Sequence, residues 1–211
     1  QKKLENYSHL TKGYQFEYRY FSTEREMIES FLDFITPIAA VSGWNFLGYD
    51  WLYICNRCEL LGINYKRVSP TKKFTKFKLN RKAKVECMVP MHKIVYDYMI
   101  VYQLWDQTVQ IRENDTLDYV ANAVLGVQKV NHPWGFIEFY AEHYEDYVFY
   151  NAVDTILVEK INDKIQTAKV WCMLASELKC DLYAAFSTIT PAETVMTNFL
   201  YPEYKVLVKD E

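Results

Sequence analysis

Residues 38–61 read IAAVSGWNFLGYDWLYICNRCELL, and this stretch decides the fold class. Ile38 to Val41 is a short apolar run directly after Pro37, which the pattern reads as a buried strand. Gly43 to Tyr49 (GWNFLGY) has no period and a glycine near each end, so it reads as irregular chain. Asp50 stands where a helix begins, and Asp is among the preferred capping residues. Beyond it Trp51, Ile54, Cys55, Cys58 and Leu61 recur at helical spacing, and Gly62 supplies a natural stop. Strand, loop and helix in that order form an α/β unit, with an acid where the loop meets the helix.

Upstream, Tyr14 to Phe21 (YQFEYRYF) alternates aromatic and polar residues, a strand pattern. Thr23 and Glu26 make a T-x-x-E capping box ahead of Met27, Ile28, Phe31, Leu32 and Ile35. The segment before Gly13 is polar and reads as peripheral. Downstream, residues 61–85 contain nine Lys/Arg and no acid: Lys66, Arg67, Lys72, Lys73, Lys76, Lys78, Arg81, Lys82 and Lys84. Phe74, Phe77 and Leu79 interrupt these charges, and a turn near Asn80 makes residues 65–90 a basic hairpin. Such a hairpin either contacts phosphates or is simply solvated. Lys93 to Val101 reads as a strand, Thr116 to Leu125 as a short helix closed by Gly126, and Phe139 to Lys164 as one long helix. Ala168 to Leu182 reads as a further helix, and Thr190, Pro191 and Glu193 predict the cap, first position and capping box of the last one.

The long helix carries an acid out of place. Tyr150, Asp154, Leu157 and Ile161 share one stripe, beside Tyr147 and Val158. A buried carboxylate is costly unless it is paired or binds a metal. Tyr150 and Asp154 are i and i+4 neighbours, so their side chains reach one spot. The plainer reading puts Asp154 at the stripe's edge, in water.

Taken together, the two segments resemble the exonuclease domain of family-B DNA polymerases. Asn45-Phe-Leu-Gly-Tyr49-Asp50 is similar to the second exonuclease motif of that family, and Tyr150-Asn-Ala-Val-Asp154 to the third. The flanks Tyr53 to Arg57, Tyr96 to Tyr102, Thr116 to Val120 and Phe186 to Thr190 resemble replicative polymerases of large tailed bacteriophages. The resemblance spans about Phe21 to Leu200. It implies an RNase-H-like (DnaQ-like) α/β fold with a hairpin insertion and a helical C-terminal part. It also implies 3′–5′ proofreading by two-metal phosphodiester hydrolysis, with paired Mg²⁺ or Mn²⁺ ions about 4 Å apart. By carry-over, Asp50 and Asp154 are metal ligands and Tyr150 orients the attacking water. Asn45 and Tyr49 would shape the pocket for the 3′-terminal nucleotide. Lys73, Lys76 and Lys78 are candidate contacts to DNA, since the resemblance implies a hairpin here that helps separate the primer strand. The implied partners are single-stranded DNA, the primer 3′ end, and a polymerase palm that residues 185–211 would approach.

One departure bears on activity. The family's first motif, Asp-x-Glu on an earlier strand, has no counterpart before Asp50. The expectation is therefore residues 1–211 as a partial domain lacking its first strand or strands, with impaired hydrolysis. The competing readings are a non-catalytic DNA-binding or structural module derived from such a domain, and a stand-alone RNase-H-like nuclease.

Composition sets the remaining bounds. A net charge of −3 excludes a wholly basic nucleic-acid coat but permits a local basic surface. Five cysteines at irregular spacing make a poor disulfide framework and read as free thiols, with Cys55-x-x-Cys58 as core packing rather than a zinc site. The 18 tyrosines read mainly as core and secondarily as base-stacking surface. No apolar run spans a bilayer, and no signal-peptide pattern opens the chain, so the expected compartment is the cytoplasm, that of the host cell for a phage protein. His9, His92, His132 and His143 show no ligand spacing. Asp97 interrupts a strand and reads as a structural hydrogen bond, with proximity to the site as the alternative.

Overall fold

The structure, a computed structural model, describes residues 8–80, 85–105, 114–127, 133–186 and 189–201. After the short helix α1 (Ser8–Thr11), α2 (Glu24–Ile35) opens on the Thr23 capping box: Thr23 Oγ1 accepts from the Glu26 N–H, and the Glu26 carboxylate accepts from the Thr23 N–H. The strand β1 (Ala40–Gly43) leads through a turn-rich loop to α3 (Asp50–Leu61), which ends at Gly62 in the left-handed conformation. A 3₁₀ turn at Tyr65–Val68 precedes the antiparallel hairpin of β2 (Phe74–Asn80) and β3 (Val85–Pro90). Then come β4 (Ile94–Asp97), α4 (Tyr98–Trp105), α5 (Leu117–Leu125), α6 (Phe136–Glu142), α7 (Tyr144–Ile165), α8 (Thr167–Glu177), a 3₁₀ turn at Ala184–Phe186, and α9 (Ile189–Leu200).

β1 and β4 pair in parallel, with Ala40 opposite Ile94 and Gly43 opposite Asp97. Parallel neighbours need a crossover, and α3 with the hairpin supplies it. Tyr183 covers the far edge of β4, its hydroxyl accepting from the Val95 N–H (3.0 Å) and donating to the Val95 carbonyl (2.7 Å). No described strand pairs with the outer edge of β1.

One core gathers α2, α3, the hairpin and β4 around Leu32, Leu47, Trp51, Cys58, Val89 and Val95. Trp51 Nε1 donates to the Met88 carbonyl (2.7 Å), locking α3 onto the hairpin. Cys55 and Cys58 are buried there as free thiols, and burial pushes Cys55 up to about 12. A second core packs α7 against α4 and α5 through Val120, Val153, Leu157 and Ile161. Lys93 is a buried cation at the mouth of β4. Its Nζ donates to the carbonyls of Ile35 (2.8 Å), Thr36 (3.1 Å) and Ile38, closing the C-terminal end of α2.

Several sequence expectations are corrected. Tyr14 to Phe21 forms no strand: no described strand pairs with its backbone groups, Tyr14 packs on the second core, and residues 15–21 are exposed, with Tyr20 78% accessible. Residues 98–101 are helical, since the apolar run continues past Asp97 into α4. The helix expected from Phe139 to Lys164 is two, broken at His143 (φ −126°, ψ 43°). The next helix stops at Glu177 rather than Leu182. The last begins at Ile189, so Thr190 lies inside it rather than ahead of it. The hairpin tip with Arg81, Lys82 and Lys84, the residues Ser187 and Thr188, and 202–211 lie outside the described residues.

Candidate active site

β1 and β4 end side by side at Gly43 and Asp97. Crevices in open α/β sheets form at the carboxyl ends of parallel strands, and a cleft of about 1130 Å³ opens here. The end of β1 contributes Gly43, the loop after it Trp44 and Asn45, α3 contributes Asp50 and Ile54, and α7 contributes Asn151, Asp154 and Thr155. Asp50 and Asp154, distant in sequence, thus line one cleft.

The loop is tightly built. Asn45 is left-handed (φ 56°), and its carbonyl accepts from the Tyr49 N–H (3.0 Å). Its side chain lies over Gly48, where a Cβ would stand 2.6 Å from Asn45 Oδ1. Phe46 and Leu47 turn inward to the core. Trp44 Nε1 donates to the Asp115 carbonyl (3.0 Å), joining the loop to the segment before α5.

Asp50 is the first residue of α3 and is exposed, with Tyr49 as the preceding cap. Partial desolvation raises its pKa, opposed by its own backbone N–H. On α7 the buried positions are Phe149, Tyr150, Val153, Ile156, Leu157 and Ile161, and Asp154 is half-buried beside them. Asp154 therefore sits on the edge of the apolar stripe, and that edge faces the cleft rather than open water.

The other sequence candidates fall differently. Tyr150 is 8% exposed, packs edge-on against Phe139 (ring centroids 5.7 Å apart, 78°), and is not among the cleft-lining residues. Tyr49 is 70% exposed and also lies off the lining. Lys73 is exposed, and Lys76 pairs with Glu86 across the hairpin at 3.4 Å. Lys78 lies in β2 opposite Glu86. Neither Lys73 nor Lys76 lines the cleft. Sequence reasoning missed Gln103, Asp115 and Glu159, which do line it. Gln103 Nε2 donates to Asp115 Oδ2 (2.8 Å). No period or motif marks these residues, because only the packing of α4 and α5 on α7 brings them together.

The model of the DNA polymerase family B exonuclease domain matches residues 1–120, more than half the chain. This chain belongs to that family. The matched part of the exonuclease domain includes the Asn45–Asp50 loop and Asp97, whereas Tyr150 and Asp154 lie beyond it. No curated protein matches the chain.

The exonuclease domains of this family use divalent metals, and the cleft's donors fit hard cations in kind: Asp50, Asp115, Asp154 and Glu159 offer only oxygen. Their oxygens do not converge on one point. Among the described residues, three ligand atoms lie within 4.8 Å of one another only at Glu138, Glu142 and His143, at the α6–α7 junction.

Proposed function

We propose that this chain is part of a 3′–5′ proofreading exonuclease domain with an RNase-H-like architecture, acting on the 3′ end of single-stranded primer DNA beside a polymerase palm. The observation that carries the reading is the placement of Asp50 and Asp154 on one cleft at the ends of parallel strands. Asp154 and Asp50 would hold Mg²⁺ or Mn²⁺, and bound metal would supply an activated water and a neutralised leaving oxygen. Asn45 borders the space for the terminal nucleotide, Tyr49 shapes its approach from outside the lining, and the Tyr150 hydroxyl, one turn before Asp154, would orient the water only by turning out of its packing against Phe139. Lys73, Lys76 and Lys78 steer the DNA backbone. An Asp-x-Glu strand on the outer edge of β1 would complete the ligand set, and hydrolysis without it would be slow. The phage-like flanks favour a replicative polymerase working in the host cytoplasm.

The shortage of converging ligands favours a second reading, a non-catalytic DNA-binding module of the same descent. A Mn²⁺ titration followed by paramagnetic broadening separates them. The exonuclease reading requires broadening around Asp50 and Asp154 that Asp154→Asn abolishes. Broadening confined to Glu138, Glu142 and His143 contradicts it.

A further inference from the structure

The loop that presents Asn45 and Asp50 lies outside regular secondary structure, so the sheet ladder does not supply acceptors for its N–H groups. Such groups need partners when buried. Asp97 supplies them. It is 1% exposed. Its Oδ2 accepts from the Leu47 N–H (3.1 Å) and its Oδ1 from the Met99 N–H (3.0 Å). The backbone N–H groups of Asn45 and Ile100 lie close enough to favour the charge of the same carboxyl. One side chain at the end of β4 therefore ties the loop after β1 to the first turn of α4, across 50 residues of sequence. Charge-assisted bonds of this kind are about twice as strong as neutral ones.

Both oxygens are engaged by backbone, and Asp97 is not among the cleft-lining residues. It is thus placed to act through the loop rather than on a ligand. The loop has little slack. Leu47 is wholly buried, Asn45 holds a left-handed turn over Gly48, and the Trp51 N–H of α3 bonds back to the Phe46 carbonyl (2.8 Å). A shift at Leu47 would carry Asn45 and Asp50 with it.

We propose that Asp97 is a positioning residue whose carboxylate sets the 44–49 loop so that Asn45 and Asp50 face the cleft. The part concerning metal rests on the exonuclease reading, whereas the part concerning the loop does not. In the intact chain, a through-hydrogen-bond NMR correlation should link the Leu47 amide nitrogen to the Asp97 carboxyl carbon. In Asp97→Asn, which keeps the shape but points an NH₂ at N–H donors, exchange of the Leu47 and Met99 amides should accelerate at least tenfold. Val153 and Leu157 in the second core should stay protected. Mn²⁺ affinity read at Asp50 should fall at least tenfold, while Asp97→Glu should restore part of both losses. A merely structural carboxylate would lower the melting temperature without a selective change at Asp50. Absence of the Leu47–Asp97 correlation, unchanged exchange at Leu47, or unchanged Mn²⁺ affinity despite a loosened loop would each overturn the proposal. If the unaltered chain shows no Mn²⁺ effect at Asp50, the exonuclease reading falls, and the correlation and exchange still decide the role of Asp97.

Discussion

Asp97 sets two physical effects against each other. Burial disfavours its charge, whereas backbone N–H groups favour it, and carboxylates with several such bonds can have very low pKa values. Desolvation dominates here and pushes the carboxyl from 3.8 up to about 6. A rise of that size makes charging the folded state cost about 3 kcal/mol more than charging the unfolded chain. The sign follows. Between pH 3.8 and about 6 the unfolded chain has released this proton and the folded protein still holds it. The contribution to stability is full below that window, falls as pH rises through it, and is gone above it. Depressed carboxylates such as Glu24, held down by Arg57, titrate in the opposite sense, so the intact chain must be compared with Asp97→Asn. Urea unfolding of both at pH 4, 5, 6 and 7 should show their stability difference moving against the intact chain by about 3 kcal/mol as pH rises. A flat difference, or one moving the other way, would show that the N–H bonds outweigh burial.

Lys93→Met keeps the apolar stem but removes a cation shared by three carbonyls, and should cost about 2–4 kcal/mol in urea unfolding. Gly48→Ala places a methyl group against the end of the Asn45 side chain. It should displace that side chain and weaken binding of single-stranded DNA 3′ ends with little loss of stability, as a fluorescence anisotropy titration would show. Replacing Lys73, Lys76 and Lys78 together with Ala should flatten the salt dependence of DNA binding, by roughly one unit of slope for each lost phosphate contact. An unchanged slope would leave the hairpin as a solvated feature.

Local chemistry made much of the fold legible. The Thr23–Glu26 box, Gly62 and Gly126 each mark an element end that the structure contains, because caps act within one turn. Tyr14 to Phe21 misled because alternation describes a strand's faces and says nothing of a pairing partner. The break at His143 carries no proline or glycine, and Trp134 stacked on its ring (3.8 Å) comes from the segment ahead of α6. The stripe on α7 located Asp154, but periodicity could not say whether its edge met water or a cleft. Asp97 read as a structural hydrogen bond with proximity to the site left open, since its donor at Leu47 arrives from the far side of the hairpin crossover.

The central claim is that Asp50 and Asp154 serve one hydrolytic site. The most direct measurement is metal-dependent degradation of 5′-labelled single-stranded DNA by the chain extended upstream with an Asp-x-Glu strand, beside the 211-residue chain itself. The extended protein should shorten the DNA stepwise from its 3′ end, the shorter chain should do so far more slowly, and the extended Asp154→Ala protein should lose activity with its fold retained. Full activity in the extended Asp154→Ala protein, or equally fast cleavage by the shorter chain, would contradict the claim.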